Sequence, residues 1–121
     1  MEKIKGVLIN IDEKKVTVEE IDDDFRAIQR IINVDIFTIA RRKIGQYVYA
    51  ILCDDEGMLK PNAYKRISAL CIDGSDMLIG NLFICKEKGP ELTSLTDAQI
   101  EQVKLAIRKN SYDDSPVLVL G

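Results

Sequence analysis

The stretch 77–109 constrains the fold of this chain most, because a strand pattern and a helix pattern follow each other within it. Its first part, from Leu78 to Ile84, is an almost continuous apolar run that Gly80 and Asn81 interrupt. A short run of this kind is typical of a central strand that is covered on both faces. A glycine inside such a strand indicates a bulge, or the close approach of another backbone or a ligand.

The second part of the stretch carries a strong helix start. Thr96 and Gln99 have the spacing of a capping box, in which each side chain binds a backbone N–H of the first turn. Leu95 and Ile100 occupy the two positions of a hydrophobic staple. We predict a helix that ends at Asn110 and buries one apolar stripe against a sheet, formed by Ile100, Val103 and Ile107.

The residues before this stretch predict a sheet and a shorter helix. The strands form two hairpins and one further short strand, with the bounds Ile4–Ile11, Lys15–Ile21, Asp35–Ile44, Gln46–Cys53 and Ile67–Ile72. Arg41–Lys43 then fall at the tip of the second hairpin. Asp22–Asp24 predict a helix start, followed by a buried stripe of Phe25, Ile28, Ile31 and Ile32 and an end at Asn33. The predicted fold class is α+β, a single domain with a mainly antiparallel sheet and two helices, the longer one C-terminal.

The C-terminal segment 111–121 is predicted to be a tail on a domain of residues 1–110. A polar stretch, Ser111–Pro116, precedes the apolar run Val117–Leu120. Exposed apolar residues with a high strand propensity promote aggregation unless something covers them. Two alternatives follow: the run adds a strand to its own sheet, or it serves as an interface strand that pairs with a neighbouring subunit.

Composition excludes several classes of function. The chain contains no histidine, which removes serine–histidine and cysteine–histidine nucleophiles and every histidine-containing metal site. Its three cysteines are far apart and include no Cys-x-x-Cys pair, which favours reduced thiols in the cytoplasm over a structural zinc. The net charge of −3 argues against duplex nucleic acid as a partner, and no apolar run is long enough to span a membrane. We therefore expect no catalytic residue, no metal and no cofactor.

The acidic sequence Asp54–Gly57 is interpreted as a solvated turn. A calcium loop of the EF-hand type needs alternating ligands over twelve residues and a terminal glutamate. This spacing is missing here.

Basic and aromatic side chains are the candidates for a binding site. Arginine pairs with phosphate through two hydrogen bonds, and an aromatic ring gives a nucleobase a surface on which to stack. Any single arginine can instead belong to a solvated face or to an i,i+4 pair. Besides Phe83, rings are available at Tyr47, Tyr49, Tyr64 and Tyr112. The predicted ligand-binding residues are Arg26, Arg30, Asn62, Arg66, Asn81, Phe83 and Arg108.

Four segments carry a family resemblance: Cys53–Leu59, Lys60–Asn62, Gly80–Ile84 and Ser94–Glu101. In this order they resemble the domain-of-unknown-function 3846 family, small proteins of phages, mobile elements and Gram-positive bacteria. The likeness covers about residues 4–109 and rests on structural rather than catalytic motifs. The segment after Asn110 departs from the family pattern.

Size, element order and phage context are also similar to the Thoeris anti-defence protein one group. That resemblance implies a protein that binds cyclic ADP-ribose signals without degrading them. It also implies a homo-oligomer, a dimer or hexamer, with nucleotide sites at subunit boundaries. A phage-encoded protein of this kind would act in the cytoplasm of the host cell.

The leading functional hypothesis is a non-enzymatic protein that binds a cyclic, phosphate-containing nucleotide. Arginines would hold the phosphates, and Phe83 or a tyrosine would stack on adenine. One alternative is an inhibitor that binds a bacterial defence or restriction protein directly through its acidic surface. A further alternative is a small enzyme with an aspartate or a tyrosine as general base.

Overall fold

The computed structural model describes residues 3–121, which form two sheets and two helices. The strands of the first sheet are β1 (Lys3–Asn10), β2 (Lys15–Asp22), β3 (Phe37–Ile44), β4 (Tyr47–Asp54), β7 (Leu82–Lys88) and β8 (Glu91–Thr93). Those of the second sheet are β5 (Ile67–Cys71), β6 (Met77–Ile79), β9 (Ile107–Lys109) and β10 (Pro116–Leu120). The helices are α1 (Phe25–Ile32) and α2 (Asp97–Leu105), and two 3₁₀ turns cover Gly57–Leu59 and Ala63–Arg66. The predicted α+β class, with the longer helix C-terminal, is confirmed.

The first sheet is antiparallel and has β7 at its centre. Its main order is β2-β1-β7-β4-β3, and β8 pairs with the end of β7. On one face, Phe83 lies between Leu8 and Leu52 on the neighbouring strands and packs beneath α1. On the other face, Ile84 belongs to the cluster that includes Val103 of α2. The prediction of a central strand covered on both faces is therefore confirmed for β7.

Helix α1 begins and ends where the sequence predicts. The Asp24 side chain accepts a hydrogen bond from the backbone N–H of Ala27 at 2.9 Å, and Asn33 ends the helix with φ 56°. Ile28 and Ile32 are buried as expected. Phe25 is 60% exposed, so its predicted place in the buried stripe is wrong. It is the first residue of the helix, and its ring packs on Phe37 of β3 instead, with 4.9 Å between the centroids.

The segment 111–121 is integrated into the domain. Strand β10 pairs in parallel with β5 and antiparallel with β9, so chain segments of the same molecule occupy both of its edges. Leu118 and Leu120 are buried in the main core cluster. Of the two alternatives for this run, the structure shows the strand in its own sheet. An interface strand would need a free edge, which β10 does not have.

The apolar run Leu78–Ile84, predicted to be one central strand, in fact belongs to two strands in different sheets. β6 belongs to the second sheet and β7 to the first, and Gly80 lies at the transition with φ +89°. A positive φ is accessible to glycine without steric cost, so the chain can leave one sheet and enter the other within two residues. The backbone N–H of Gly80 donates to the Arg66 carbonyl at 2.8 Å.

The predicted end of the second helix is wrong. Helix α2 ends at Leu105 rather than at Asn110, and residues 107–109 form β9. The N–H of Ala106 bonds the carbonyls of Gln102 and Val103, which closes the last turn. The Ala106 carbonyl then accepts a 2.8 Å hydrogen bond from the N–H of Val119 on β10. Pairing with β10 thus stabilises an extended conformation for residues 107–109, although their apolar spacing continues that of the helix.

The arginines of β3 lie within the strand rather than at a hairpin tip. The turn is at Gly45 and Gln46, beyond the basic residues. Arg41 makes two hydrogen bonds to the Glu87 carboxylate at 2.7 and 2.8 Å. Arg42 pairs with the Asp76 carboxylate. These ion pairs connect β3 to β7 and to the residue before β6.

Candidate functional site

The seven predicted ligand-binding residues do not converge. Arg26 and Arg30 are exposed on α1 and line a shallow cavity of about 380 Å³ together with Asn33. Asn62 is exposed at the start of a 3₁₀ turn, with φ +60°. The Arg66 guanidinium makes two hydrogen bonds to the Asp12 carboxylate, at 3.0 and 2.9 Å. The structure therefore places these four residues in two groups, Arg26 and Arg30 on α1, and Asn62 and Arg66 at the 3₁₀ turn Ala63–Arg66.

Asn81 and Phe83 are structural residues rather than surface groups. The Phe83 ring has no exposed surface and lies against the backbone of Gly6, where an added Cβ would come within 2.7 Å of the ring. No ligand can stack on it without opening the core. Asn81 is 3% exposed, and both ends of its amide bind backbone groups. Its amide is therefore satisfied by the protein itself.

One cavity combines aromatic rings with an apolar floor, and we name it the aromatic cavity. It has a volume of about 620 Å³ and lies on the outer face of the second sheet. Its floor is formed by side chains of β5 and β10, and its rim by the 3₁₀ turn and the β9–β10 connection. Its lining residues are Tyr64, Lys65, Ile67, Leu70, Asn110, Tyr112, Asp113, Ser115 and Val117.

The rim of the aromatic cavity offers stacking surfaces and fixed polar groups. Tyr64 and Tyr112 are 70% and 95% exposed, and the Lys65 ammonium lies 5.7 Å from the centre of the Tyr64 ring. The Asn110 side-chain oxygen accepts from the N–H of Tyr112, which leaves its NH₂ group as a donor. Hydrogen bonds from the backbone and side chain of Ser115 lower the pKa of the Asp113 carboxyl, so it stays ionised.

A second cavity is lined mainly by cations, and we name it the basic cavity. Its volume is about 390 Å³, and it lies between the β1–β2 turn, the end of α2 and the β9–β10 hairpin. Four cations and one carboxylate line it, while the whole chain carries a net charge of −3. Its lining residues are Lys14, Val16, Lys104, Ile107, Arg108, Lys109, Asp114 and Pro116.

The two cavities meet at the β9–β10 hairpin. Arg108 of β9, which lines the basic cavity, lies directly opposite Val117 of β10, which lines the aromatic cavity. Directly paired residues project from the same face of a sheet, with Cβ atoms about 4.5–5.5 Å apart. Arg108 thus lies close to the aromatic cavity, as does Arg66, whose chain neighbours Lys65 and Ile67 line it.

The acidic turn is not a fully solvated loop. The Asp54 side chain is 2% exposed, pairs with the Lys60 ammonium and accepts from the N–H of Glu56. The buried Asp54 carboxylate therefore stabilises the turn after β4 through these two contacts. Across residues 3–121, no cluster of three or more acidic or cysteine side chains is arranged to hold a metal ion.

The sequence identifies the aromatic residues of this site but not the apolar residues of its floor. Tyr64 and Tyr112 are candidate rings, but no local sequence pattern predicts that Ile67 and Val117 lie beside them. This neighbourhood depends on the parallel pairing of β5 with β10, which joins residues about 50 positions apart. One signal was present: a fully apolar run such as Val117–Leu120 is typical of a strand in the interior of a sheet.

Comparison with known proteins identifies a family. No curated protein and no solved structure gives a significant match to this chain. None of the helices in the described part of the chain is long and apolar enough to cross a membrane.

The resemblance to the Thoeris anti-defence group stays a prediction. One family model matches residues 4–108, from the second residue of β1 to the middle of β9. Because that match covers most of the 121 residues, the chain belongs to the family described as Domain of unknown function (DUF3846).

Proposed function

We propose that the protein is a phage-type anti-defence protein that binds and sequesters a cyclic nucleotide signal, such as an isomer of cyclic ADP-ribose. The aromatic cavity is the observation that carries this proposal. Its volume of about 620 Å³ lies in the range of small-molecule sites, and its apolar floor and tyrosine rim suit a flat base. Stacking of a base on an aromatic ring contributes about 1–3 kcal/mol.

Polar groups around the cavity match the other parts of such a ligand. The ionised Asp113 accepts hydrogen bonds, as the exocyclic amino group of adenine requires, and the Asn110 NH₂ group donates to a ring nitrogen. Lys65 at the rim supplies positive charge for a phosphate. This arrangement replaces the predicted roles of Phe83 and Asn81, which are buried.

Two features support holding the ligand over degrading it. The chain has no histidine, so the commonest general base is missing from its sequence. Burial, followed by the charge of Tyr47, raises the pKa of Tyr49. A raised pKa lowers the fraction of Tyr49 that is ionised at neutral pH, and its hydroxyl already donates to the Gln102 side-chain oxygen at 2.6 Å.

The exposure of the cavity suggests how assembly contributes. Tyr64 and Tyr112 leave the outer side of the cavity open, where a second copy of the chain can close it. We propose a homo-oligomer, a dimer or hexamer, that acts in the host cytoplasm with its sites near subunit boundaries. Light scattering of the purified protein measures this directly: a mass of 13.6 kDa would identify a monomer and contradict the assembly.

Calorimetry with cyclic ADP-ribose isomers tests the proposed binding. We expect micromolar or tighter affinity, a loss of about 5- to 100-fold in Tyr112→Ala and little change in Tyr112→Phe, which keeps a ring. Tyr47→Ala is the matched control, because Tyr47 is also exposed but lies outside the cavity. Equal binding by Tyr112→Ala and the parent protein would contradict the site.

The ligand recovered after heating the protein distinguishes sequestration from catalysis. Chromatography should return it chemically unchanged; an altered product would favour an enzyme. If no isomer binds at micromolar concentration, the alternative of direct binding to a defence or restriction protein becomes the hypothesis to test.

A further inference from the structure

We propose that the basic cavity binds a small polyphosphate, with inorganic pyrophosphate as its simplest form. This site goes beyond the proposed nucleotide site, since the two cavities share no lining residue. It adjoins the nucleotide site along the β9–β10 hairpin and contains no aromatic side chain. Its chemistry therefore suits phosphate groups rather than a nucleobase.

The cations of this cavity keep their hydrogen-bond donors available. Arg41, Arg42 and Arg66 each pair with a carboxylate elsewhere in the fold. Within residues 3–121, Arg108 and Lys109 have no carboxylate oxygen within 4.0 Å. Lys104 makes only a loose contact with Glu101 at 3.9 Å, in which both side chains are well exposed. Such an exposed pair contributes little and leaves the ammonium able to bind an anion.

Lys14 brings a cation from a distant part of the chain and is held in place. It lies in the β1–β2 turn with φ 57°, and its ammonium donates to the Asp113 carbonyl at 2.8 Å. This hydrogen bond ties the first hairpin to the β9–β10 connection. An ammonium has three donors, so two remain for a ligand.

The cavity has an apolar base beneath these charges. Val16, Ile107 and Pro116 line it, and the aliphatic stems of lysine and arginine pack well on such surfaces while the charged groups reach solvent. The fork of Arg108 suits two oxygens of one phosphate, and the lysines supply point charges for the next.

The charges that line the cavity favour a ligand with several negative charges. Asp114 lies among the four cations and opposes anion binding. The four cations still outnumber it, so the attraction grows with the charge of the anion, and an anion with several charges engages more than one cation. The volume of about 390 Å³ limits the ligand to a small polyphosphate.

Calorimetry with inorganic pyrophosphate at low salt tests this site. We expect binding that weakens steeply as salt rises and falls at least tenfold in the double variant Lys104→Gln/Arg108→Gln. The matched control is Arg26→Gln/Arg30→Gln, which removes the same charge from the exposed face of α1; its affinity should change less than twofold. Absence of binding to the parent protein, or an equal loss in the control, would overturn the proposal.

Tyr112→Ala separates this site from the nucleotide site. Pyrophosphate should bind this variant as it binds the parent protein, whatever happens to cyclic nucleotides. A loss of pyrophosphate affinity there would mean that the cavities form one site, and the proposal would be wrong. Urea unfolding of each variant checks that the fold is intact, and sulfate, titrated in parallel, should bind at least tenfold more weakly than pyrophosphate.

Discussion

The amide of Asn81 joins three segments of the chain. Its oxygen accepts from the N–H of Ile11 at 2.8 Å, and its nitrogen donates to the carbonyl of Ile32 at 3.2 Å. The residue itself lies between β6 and β7. All three groups are at the junction of the two sheets with α1, so a short polar side chain replaces the backbone pairing that this junction lacks.

Asn81→Ala should therefore destabilise the protein by about 2–4 kcal/mol, because two buried backbone groups lose their partners. The free energy of unfolding in urea measures this. Asn62→Gly is the control: the residue is exposed, its φ is positive and glycine accepts that conformation, so we expect a change below about 1 kcal/mol. A similar loss in both variants would contradict the bridging role.

The cysteines allow a second prediction at this scale. Burial raises the pKa of Cys85 to about 12 and that of Cys53 to about 11, while Cys71 is only partly buried. Since the thiolate is the reactive form, a disulfide reagent at pH 8 should modify Cys71 first in the folded protein. Cys71→Ser should remove the fast phase; persistence of that phase would contradict the burial of the other two.

The raised pKa values of Cys53 and Cys85 predict how the free energy of unfolding changes with pH. A thiol whose pKa is higher in the folded state keeps its full contribution below the unfolded value near 8.5. The folded state then loses stability as the pH rises from there towards 11 and 12. Urea midpoints between pH 8 and 10.5 should therefore fall, and a double Cys53→Ala/Cys85→Ala variant should show a smaller decrease.

At the scale of elements, the capping box of α2 was predictable because it is local. Thr96 accepts from the N–H of Gln99 at 3.2 Å, and the Gln99 side chain accepts from the N–H of Thr96 at 2.8 Å. Thr96→Ala should lower the free energy of unfolding by about 1 kcal/mol. Thr96→Ser keeps the hydroxyl and should stay close to the parent protein in the same urea measurement; an equal loss would show that packing, not the cap, is responsible.

The end of α2 was not predictable from its own residues. Ile100, Val103 and Ile107 continue one helical stripe, and neither glycine nor proline stops the chain before Lys109. The helix ends because β10, arriving from later in the sequence, pairs with residues 107–109. Gly80 is a comparable case: the glycine was visible, but the change of sheet that it permits depends on which strands β6 and β7 meet.

The candidate site follows the same division. Arginines and aromatic rings could be identified as candidates from the sequence. For Phe83, however, two predictions were made together: that it binds a ligand, and that it lies in a strand covered on both faces. These two assignments conflict, because a side chain of such a strand has no free surface. Tyr64 and Tyr112 come from turns, and only the assembled second sheet places a common floor beneath them.

At the scale of the whole molecule, β10 holds the second sheet together. It is the neighbour of both β5 and β9, and its inward residues Leu118 and Leu120 are buried. Each large buried aliphatic side chain contributes about 2–5 kcal/mol, against a total stability of about 5–15 kcal/mol for a domain.

Deletion of residues 116–121 should therefore abolish cooperative unfolding, which circular dichroism in urea measures. Val119→Thr is the control, since this side chain is partly exposed and the change conserves volume; it should unfold cooperatively. A truncated protein that folds normally and only assembles differently would contradict the structural role and favour an interface strand.

The position of β10 has a consequence for synthesis of the protein. On the ribosome, every strand of the first sheet leaves the exit tunnel before residues 116–120 do. The strands of the first sheet can therefore pair before β10 is available. During this time β5 pairs only with β6, and β9 has no partner strand. The nascent chain thus exposes a strand edge until β10 has left the exit tunnel, and this is the interval in which chaperones would bind it.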